Sequence, residues 1–163
     1  MNLKARFWLL SLALASALAI SSCGGGGTTS GGTTGGGAPG GGATTLNVNA
    51  LDTLKFEPAT LSAPANAQVT VNVKNTGTLQ HNWVLVKGGD DVAAKVVEEG
   101  TTAGPGKGYI PDDTANIVAH SELLNGGASG TVSFTAPAAG TYTYVCTFPG
   151  HYAAGMKGTF TTS

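Results

Sequence analysis

The chain has 163 residues, with eight Lys or Arg against nine Asp or Glu and a formal net charge of −1. The only Arg and one Lys lie within the first six residues, so the rest of the chain carries six Lys against nine acids. A mildly acidic body without Arg is a poor match for a phosphate backbone, and we therefore exclude nucleic-acid binding.

Residues 1–22 are typical of an export signal. A positive start precedes a largely apolar run over residues 7–20, which suits a signal core and is too short for a spanning helix of about 20 residues. The run ends in Ile-Ser-Ser-Cys, which resembles a bacterial lipobox and predicts cleavage before Cys23 and lipid on its sulfur. Ordinary signal cleavage near Cys23 and an uncleaved anchor are the alternatives.

Residues 23–45 predict a flexible tether. Residues 24–43 hold 12 Gly in 20 positions, with Thr, Ser, Ala and one Pro as the remainder. Such a composition buries too little apolar surface to offset the entropy of ordering, and as a coil it spans roughly 25 Å. We expect a domain that is anchored at the membrane and free to turn beside it.

Residues 46–163 predict one domain with a single core. Apolar and polar side chains alternate with a period of two, or form short apolar runs, as in β-strands. The segments concerned are 46–50, 69–73, 83–86, 131–135, 142–145 and 158–162. Turn sequences separate them, which indicates an all-β fold, an antiparallel Greek-key sandwich or barrel.

One stretch has a different pattern. Residues 90–99 begin with two Asp, continue with residues that favour helices and are followed by Gly100 as a stop. Residues 101–113 are rich in Gly, Pro and Asp, which indicates a loop. The sequence therefore predicts one short helical insertion between middle strands.

The residues with chemical potential lie mainly in the segment 146–156. Cys146, His151 and Met156 are spaced Cys-x4-His-x4-Met directly after a predicted strand, and Pro149-Gly150 turns the chain back. His81, at the start of an upstream apolar run, is the candidate for a fourth donor. Each residue alone is explained as a surface histidine, a buried thiol or core packing, but their joint spacing favours a metal site.

The donor set indicates the metal. Two imidazoles and one thiolate with a weak thioether are typical of copper electron-transfer sites, whereas structural zinc more often has four Cys or two Cys and two His. A disulfide between Cys146 and Cys23 is the alternative for an exported protein. It would close across the glycine tether and stabilise little, and lipid on Cys23 would leave Cys146 a lone thiol, for which metal ligation is a reason.

The motifs resemble a known family. Cys-Thr-Phe-Pro-Gly-His followed by Met-Lys-Gly-Thr, with His-Asn-Trp-Val-Leu upstream, resembles azurin over residues 46–162. The gap of four residues between the loop His and Met is more similar to that of the auracyanins, azurin-like blue copper proteins of filamentous green phototrophic bacteria. This resemblance implies a cupredoxin fold and one type 1 copper ion, held in plane by His81, Cys146 and His151 with Met156 on the axis.

The resemblance also implies roles for neighbours of the donors. The Gln80 carbonyl takes the place of a second, weak axial donor, at a position where azurin has Gly. Asn82 would join the two donor segments and support the sulfur by hydrogen bonding. The structural disulfide of azurin has no counterpart, since no Cys lies between 23 and 146. His120 matches no ligand position and is left out of the site.

The function implied is one-electron transfer, with copper cycling between Cu(II) and Cu(I). We expect a monomeric, membrane-tethered carrier in the periplasm or on the outer face of the cell membrane. The partners implied are a quinol-oxidising membrane complex, and a reaction-centre cytochrome or a terminal oxidase. A copper oxidase or nitrite reductase needs more than three His, and a copper store or chaperone would favour more Met than Met1 and Met156. We therefore expect no enzymatic activity.

Overall fold

The computed structural model describes residues 43–163. The predicted export signal, Cys23 and most of the predicted tether lie outside these residues. The predicted tether extends to residue 45, whereas the first strand begins at Thr44 and pairs with the strand Gln68–Asn75 from that residue on. Within the described residues, no helix combines the length and the apolar character that crossing a membrane demands.

The described residues form nine strands, one α-helix and one 3₁₀ turn. These elements are β1 Thr44–Leu51, β2 Lys55–Glu57, β3 Thr60–Ala63, β4 Gln68–Asn75, β5 Val84–Val86, α1 Asp90–Ala103, the 3₁₀ turn Pro105–Lys107, β6 Ile117–His120, β7 Ser129–Thr135, β8 Gly140–Val145 and β9 Lys157–Thr162. One sheet has the order β2-β1-β4-β7 and the other the order β3-β9-β8-β5-β6. The predicted all-β fold with one helical insertion is confirmed.

Two strand pairs differ from the antiparallel arrangement that the sequence predicts. β1 pairs with β4 in parallel, and β3 pairs with β9 in parallel, while all other pairs are antiparallel. The cause is the crossing of the chain to the second sheet at β3. When the chain returns as β4 beside β1, it runs in the same direction as β1. The antiparallel prediction is therefore wrong for these two pairs.

The core has two parts, one on each face of the second sheet. Between the sheets, Trp83 packs against Tyr144 and Phe134 with ring centroids 5.6 and 6.1 Å apart. On the outer face, Val84 and Val86 pack in a cluster with Ala93 and Val96 of α1. All three residues of β5 are buried, because α1 covers the face that the other sheet does not. β5, the strand that follows His81, is therefore packed on both faces.

Helix α1 extends four residues past the predicted end. Gly100 lies inside the helix, where a Cβ would be 2.3 Å from the carbonyl oxygen of Tyr109. The helix ends instead at Gly104, whose φ of 78° suits glycine and whose N–H donates to the Gly100 carbonyl at 3.1 Å. Gly100 is therefore a point of close backbone approach and not a stop signal, and the predicted loop 101–113 starts with helix.

We expect Gly100→Ala to destabilise the fold. The added methyl group meets a backbone carbonyl that cannot turn aside, which should lower the free energy of unfolding by about 1–3 kcal/mol. Urea denaturation of the metal-free protein measures this change. Gly106→Ala is the matched control, because no atom beyond Gly106 and its chain neighbours lies within 4 Å of the position of its Cβ. Equal unfolding free energies for the two variants would contradict the close approach.

Candidate metal centre

The ends of three neighbouring strands bring residues that are distant in sequence together at one end of the second sheet. β8 pairs with β5 on one side and with β9 on the other. Cys146 directly follows β8 and Met156 directly precedes β9. His81 lies shortly before β5, where its N–H and carbonyl pair with Leu124 at 3.1 and 2.8 Å. Register and not sequence proximity therefore places His81 beside the segment 146–156.

Three donor atoms converge in the interior. The Nδ1 atoms of His81 and His151 are 3.2 Å apart, and the Sγ of Cys146 lies 3.4 Å from the Nδ1 of His151 and 3.9 Å from that of His81. His81 and Cys146 are 0% exposed and His151 is 6% exposed. A point equidistant from the three atoms is about 2.0 Å from each, close to the length of metal–nitrogen and metal–sulfur bonds. The triangle fits one metal ion.

The chemistry of the donors also fits a metal. One proton can join the two facing ring nitrogens, but it leaves the sulfur without a strong partner, since thiol hydrogen bonds are weak. A metal ion would use a lone pair of every atom of the triangle and would leave the proton of each imidazole on Nε2. The Nε2 of His81 is buried and has no hydrogen-bond partner in the part of the chain that the structure describes.

The segment between β8 and β9 folds back on itself. Gly150 and Gly155 have φ values of 84° and 91°, which side chains disfavour, so glycine permits both turns. The N–H of Met156 donates to the His151 carbonyl at 2.9 Å, and the N–H of Cys146 donates to the Met156 carbonyl at 3.2 Å. Met156 is fully buried in the same cluster as Cys146. The loop thus returns Met156 to the two donors that precede it.

Burial sets the protonation of the donors. It raises the pKa of the Cys146 thiol to about 11, although the backbone N–H groups of Asn82 and Phe148 oppose the shift. Burial, and then the charge of His151, lower the pKa of His81 to about 4, and burial also lowers the pKa of His151. At neutral pH the metal-free site therefore holds two neutral imidazoles and a thiol, and a metal must displace the thiol proton.

A polar network joins the two donor segments. The Oδ1 of Asn82 accepts from the backbone N–H of Thr147 at 2.8 Å, and its Nδ2 donates to the Thr147 hydroxyl oxygen at 2.7 Å and to the Gly108 carbonyl at 2.9 Å. The Thr147 hydroxyl donates to the Tyr109 carbonyl at 2.7 Å. Sequence reasoning singled out Asn82 but not Thr147, whose place beside Cys146 was the available signal. The carbonyls of Gly108 and Tyr109 gave no sequence signal, because every residue has a backbone carbonyl.

Two other residues that the sequence analysis considered have side chains that bind outside the triangle. Gln80 precedes His81, is exposed and donates through its side chain to the Oδ1 of Asn125 at 2.7 Å. His120 is exposed at the end of β6, where its Nδ1 lies 3.1 Å from the Ser121 carbonyl oxygen. It is not in the group of converging donors, which consists of His81, Cys146 and His151.

Comparison with known proteins identifies the family. Residues 43–163 match the model of the copper binding proteins of the plastocyanin/azurin family. The chain belongs to this family. It is 46% identical over 154 residues to auracyanin-A of Chloroflexus aurantiacus, an alignment that covers 93% of this chain and 94% of the relative.

Solved structures agree with this assignment. Auracyanin A, a "blue" copper protein from Chloroflexus aurantiacus, superposes with a TM-score of 0.72 at 44% identity and covers 75% of this chain and 100% of its own. Dithionite-reduced auracyanin from the photosynthetic bacterium Roseiflexus castenholzii gives a TM-score of 0.71 at 46% identity, with coverage of 74% and 97%.

Family membership decides the general function. The auracyanin and azurin relatives are blue copper electron-transfer proteins and not enzymes, and this chain is a copper protein of the same kind. The resemblance to auracyanins, the cupredoxin fold and the type 1 copper cofactor that the sequence predicts are confirmed.

We expect the metal-free protein to lose stability between about pH 6.5 and pH 4. His81 and His151 have lower pKa values folded than unfolded, so the unfolded chain binds more protons and acid favours it. Their contribution is complete above pH 6.5 and is lost as the pH falls through the folded values. Urea denaturation at several pH values measures the slope. A flat profile over this range would contradict the shifts.

Proposed function

We propose that the chain carries one electron at a time on a type 1 copper ion held by His81, Cys146 and His151, with Met156 as a weak axial donor. The observation that supports this most is the buried triangle of two imidazole nitrogens and one sulfur, with edges of 3.2, 3.4 and 3.9 Å. Two His and one Cys in a trigonal arrangement with an axial Met are typical of copper sites for electron transfer.

Burial of the donors suits this task. When bound, copper supplies the Cu(II)/Cu(I) couple, for which sulfur favours the reduced ion and nitrogen keeps the oxidised ion accessible. His81 and Cys146 are fully buried and packed, so their positions change little and a substrate has no path to them. A rigid, closed set of donors supports electron transfer over catalysis. It also argues against copper delivery, which needs an accessible metal.

His151 is the best candidate for the path of the electron. It is the least buried of the three converging donors, and its ring packs against Phe148 at a centroid distance of 4.6 Å. Pro149, Gly150 and Ala153 beside it are exposed. A small, flat surface of this kind suits the weak, brief encounters of redox proteins. We infer that partners dock over the His151 edge.

Gln80 and Asn82 complete the proposed centre. The Gln80 carbonyl directly precedes His81 in the chain and is our candidate for a second, distant axial donor. Asn82 would hold the two donor segments together through Thr147, and its backbone N–H would support the sulfur. Contacts of this kind tune the basicity of metal ligands and the potential of the metal.

We infer that the protein acts outside the cytoplasm. The auracyanin and azurin relatives are extracytoplasmic, and the predicted export signal agrees with that location. We propose that residues 1–22 are a lipoprotein signal, that Cys23 is lipidated and that the chain from Cys23 up to the first strand at Thr44 tethers the domain to the membrane. Mass spectrometry of the native amino terminus tests this, because an unmodified Cys23 would contradict the lipid anchor.

Electron-transfer proteins are the partners of such a carrier. We propose that the protein accepts electrons from a quinol-oxidising membrane complex and passes them to a reaction-centre cytochrome or a terminal oxidase. A monomer serves this exchange best, since the small surface around His151 then stays free for each partner in turn. The rate of copper reduction by each purified complex tests the assignment.

We expect Cys146→Ser to abolish the intense visible absorption of the copper-loaded protein while the sandwich still folds. Serine keeps the shape of the side chain but removes the thiolate that gives the band. The absorption spectrum after copper loading, with circular dichroism as the check on folding, measures this. His120→Ala is the control and should keep the band, whereas a coloured Cys146→Ser variant would rule out Cys146 as the thiolate ligand.

We expect Met156→Leu to keep the colour and raise the reduction potential. Loss of the thioether removes a weak donor that stabilises Cu(II). The substitution changes the packing little, because Leu and Met have similar volumes. Voltammetry measures the potential. A potential that is unchanged or lower than that of the wild type would count against Met156 as the axial ligand.

A further inference from the structure

The segment that leads from β4 to His81 is held by polar contacts. Residues 76–80 connect Asn75, the last residue of β4, to the donor. Leu79, the large apolar side chain of this segment, is 45% exposed and so contributes little packing. The position of the peptide groups just before His81 therefore depends on hydrogen bonds.

Asp52, in the turn that follows β1, accepts several of these hydrogen bonds. Its Oδ1 accepts from the N–H groups of Thr78 and Leu79 at 2.8 and 3.0 Å. Its Oδ2 accepts from the Thr78 hydroxyl at 3.0 Å and approaches the Thr78 nitrogen at 2.9 Å. The contacts join residues 26 and 27 positions apart. They hold the pKa of the Asp52 carboxyl below its usual range, the Leu79 N–H contributing most.

The space between Gly77 and Asp52 has no room for another side chain. A Cβ on Gly77 would lie 2.0 Å from the Oδ1 of Asp52 and 2.4 Å from its Cγ. Asn75 makes two further contacts: its Nδ2 donates to the Leu79 carbonyl at 2.6 Å, and its Oδ1 accepts from the Gly77 N–H at 3.1 Å. Hydrogen bonds thus fix both the N–H and the carbonyl of Leu79, the residue directly before Gln80.

We propose that Asp52 is a positioning residue of the metal centre: its carboxylate fixes the backbone that sets the Gln80 carbonyl and the His81 ring relative to Cys146 and His151. The inference rests on the proposed copper function. Asp52 touches none of the four donors through the contacts described, and it acts through Thr78 and Leu79.

Two substitutions separate geometry from charge. In Asp52→Asn the amide oxygen can still accept from both backbone N–H groups, and the Thr78 hydroxyl can turn to accept from the new amide. Asp52→Ala removes every contact. Loss of a negative charge near His81 raises the potential in both variants, so the potential alone does not decide the question. The visible band and the copper hyperfine splitting in EPR report on geometry.

The test compares four copper-loaded proteins. Asp52→Ala should alter the band and the hyperfine splitting and should lower the affinity for copper, measured by competition with a chelator, by about tenfold, a usual effect of losing a contact that orients a ligand. Asp52→Asn should keep both spectra. Asp113→Ala is the matched control, because Asp113 also accepts a backbone N–H, from Ala115 at 2.8 Å, away from the converging donors. It should match the wild type.

Gly77→Ala is the second probe, in case Asp52→Ala does not fold. It keeps the carboxylate but displaces it, and it should reproduce the altered spectra. Unchanged spectra and an unchanged affinity for copper in Asp52→Ala, or in Gly77→Ala where only that variant folds, would overturn the positioning role. So would changes in Asp52→Asn as large as those in Asp52→Ala, since charge would then be the cause. A wild-type protein without the visible band would overturn the copper function itself.

Discussion

The paired hydrogen bonds between Asn82 and Thr147 are the junction on which the metal centre depends. They connect two segments 65 residues apart, one carrying His81 and the other Cys146 and His151. Both side chains are fully buried. Separating the segments would leave buried polar groups without partners, at a cost of about 1–3 kcal/mol for each. The donors therefore keep their spacing without help from a metal.

The packing around this junction explains why the insertion matters to the centre. β5 lies between the two core clusters, so the strand after His81 has no exposed face. Helix α1 forms one of the two walls. Through the close approach of Gly100 to Tyr109, it also holds the carbonyl that accepts from Thr147. The helical insertion is thus part of the support of the donors and not a surface addition.

Local patterns predict much of this protein. Alternating apolar residues indicate the longer strands, and Cys146, His151 and Met156 lie so close in sequence that one turn brings them together. His81 could be found because its own motif resembles that of a known family. The short strands β2 and β3 escaped detection, since three or four residues carry too little periodicity.

Long-range geometry could not be predicted in the same way. The parallel pairing of β1 with β4 depends on where the chain changes sheets, which no local pattern encodes. Gly100 and Gly104 are equally plausible helix stops until the position of Tyr109 is known. Asp52 binds backbone groups 26 and 27 residues away, and backbone groups have no sequence signature.

The burial of Cys146 has a consequence for the protein before it receives its metal. With its pKa raised to about 11 by burial, the thiol stays almost entirely protonated at neutral pH. The thiolate is the form that reacts with oxidants and attacks disulfides, and a fully buried sulfur is also out of reach of both. Outside the cytoplasm, where the relatives are found, the metal-free domain can therefore keep its sulfur ligand until copper binds.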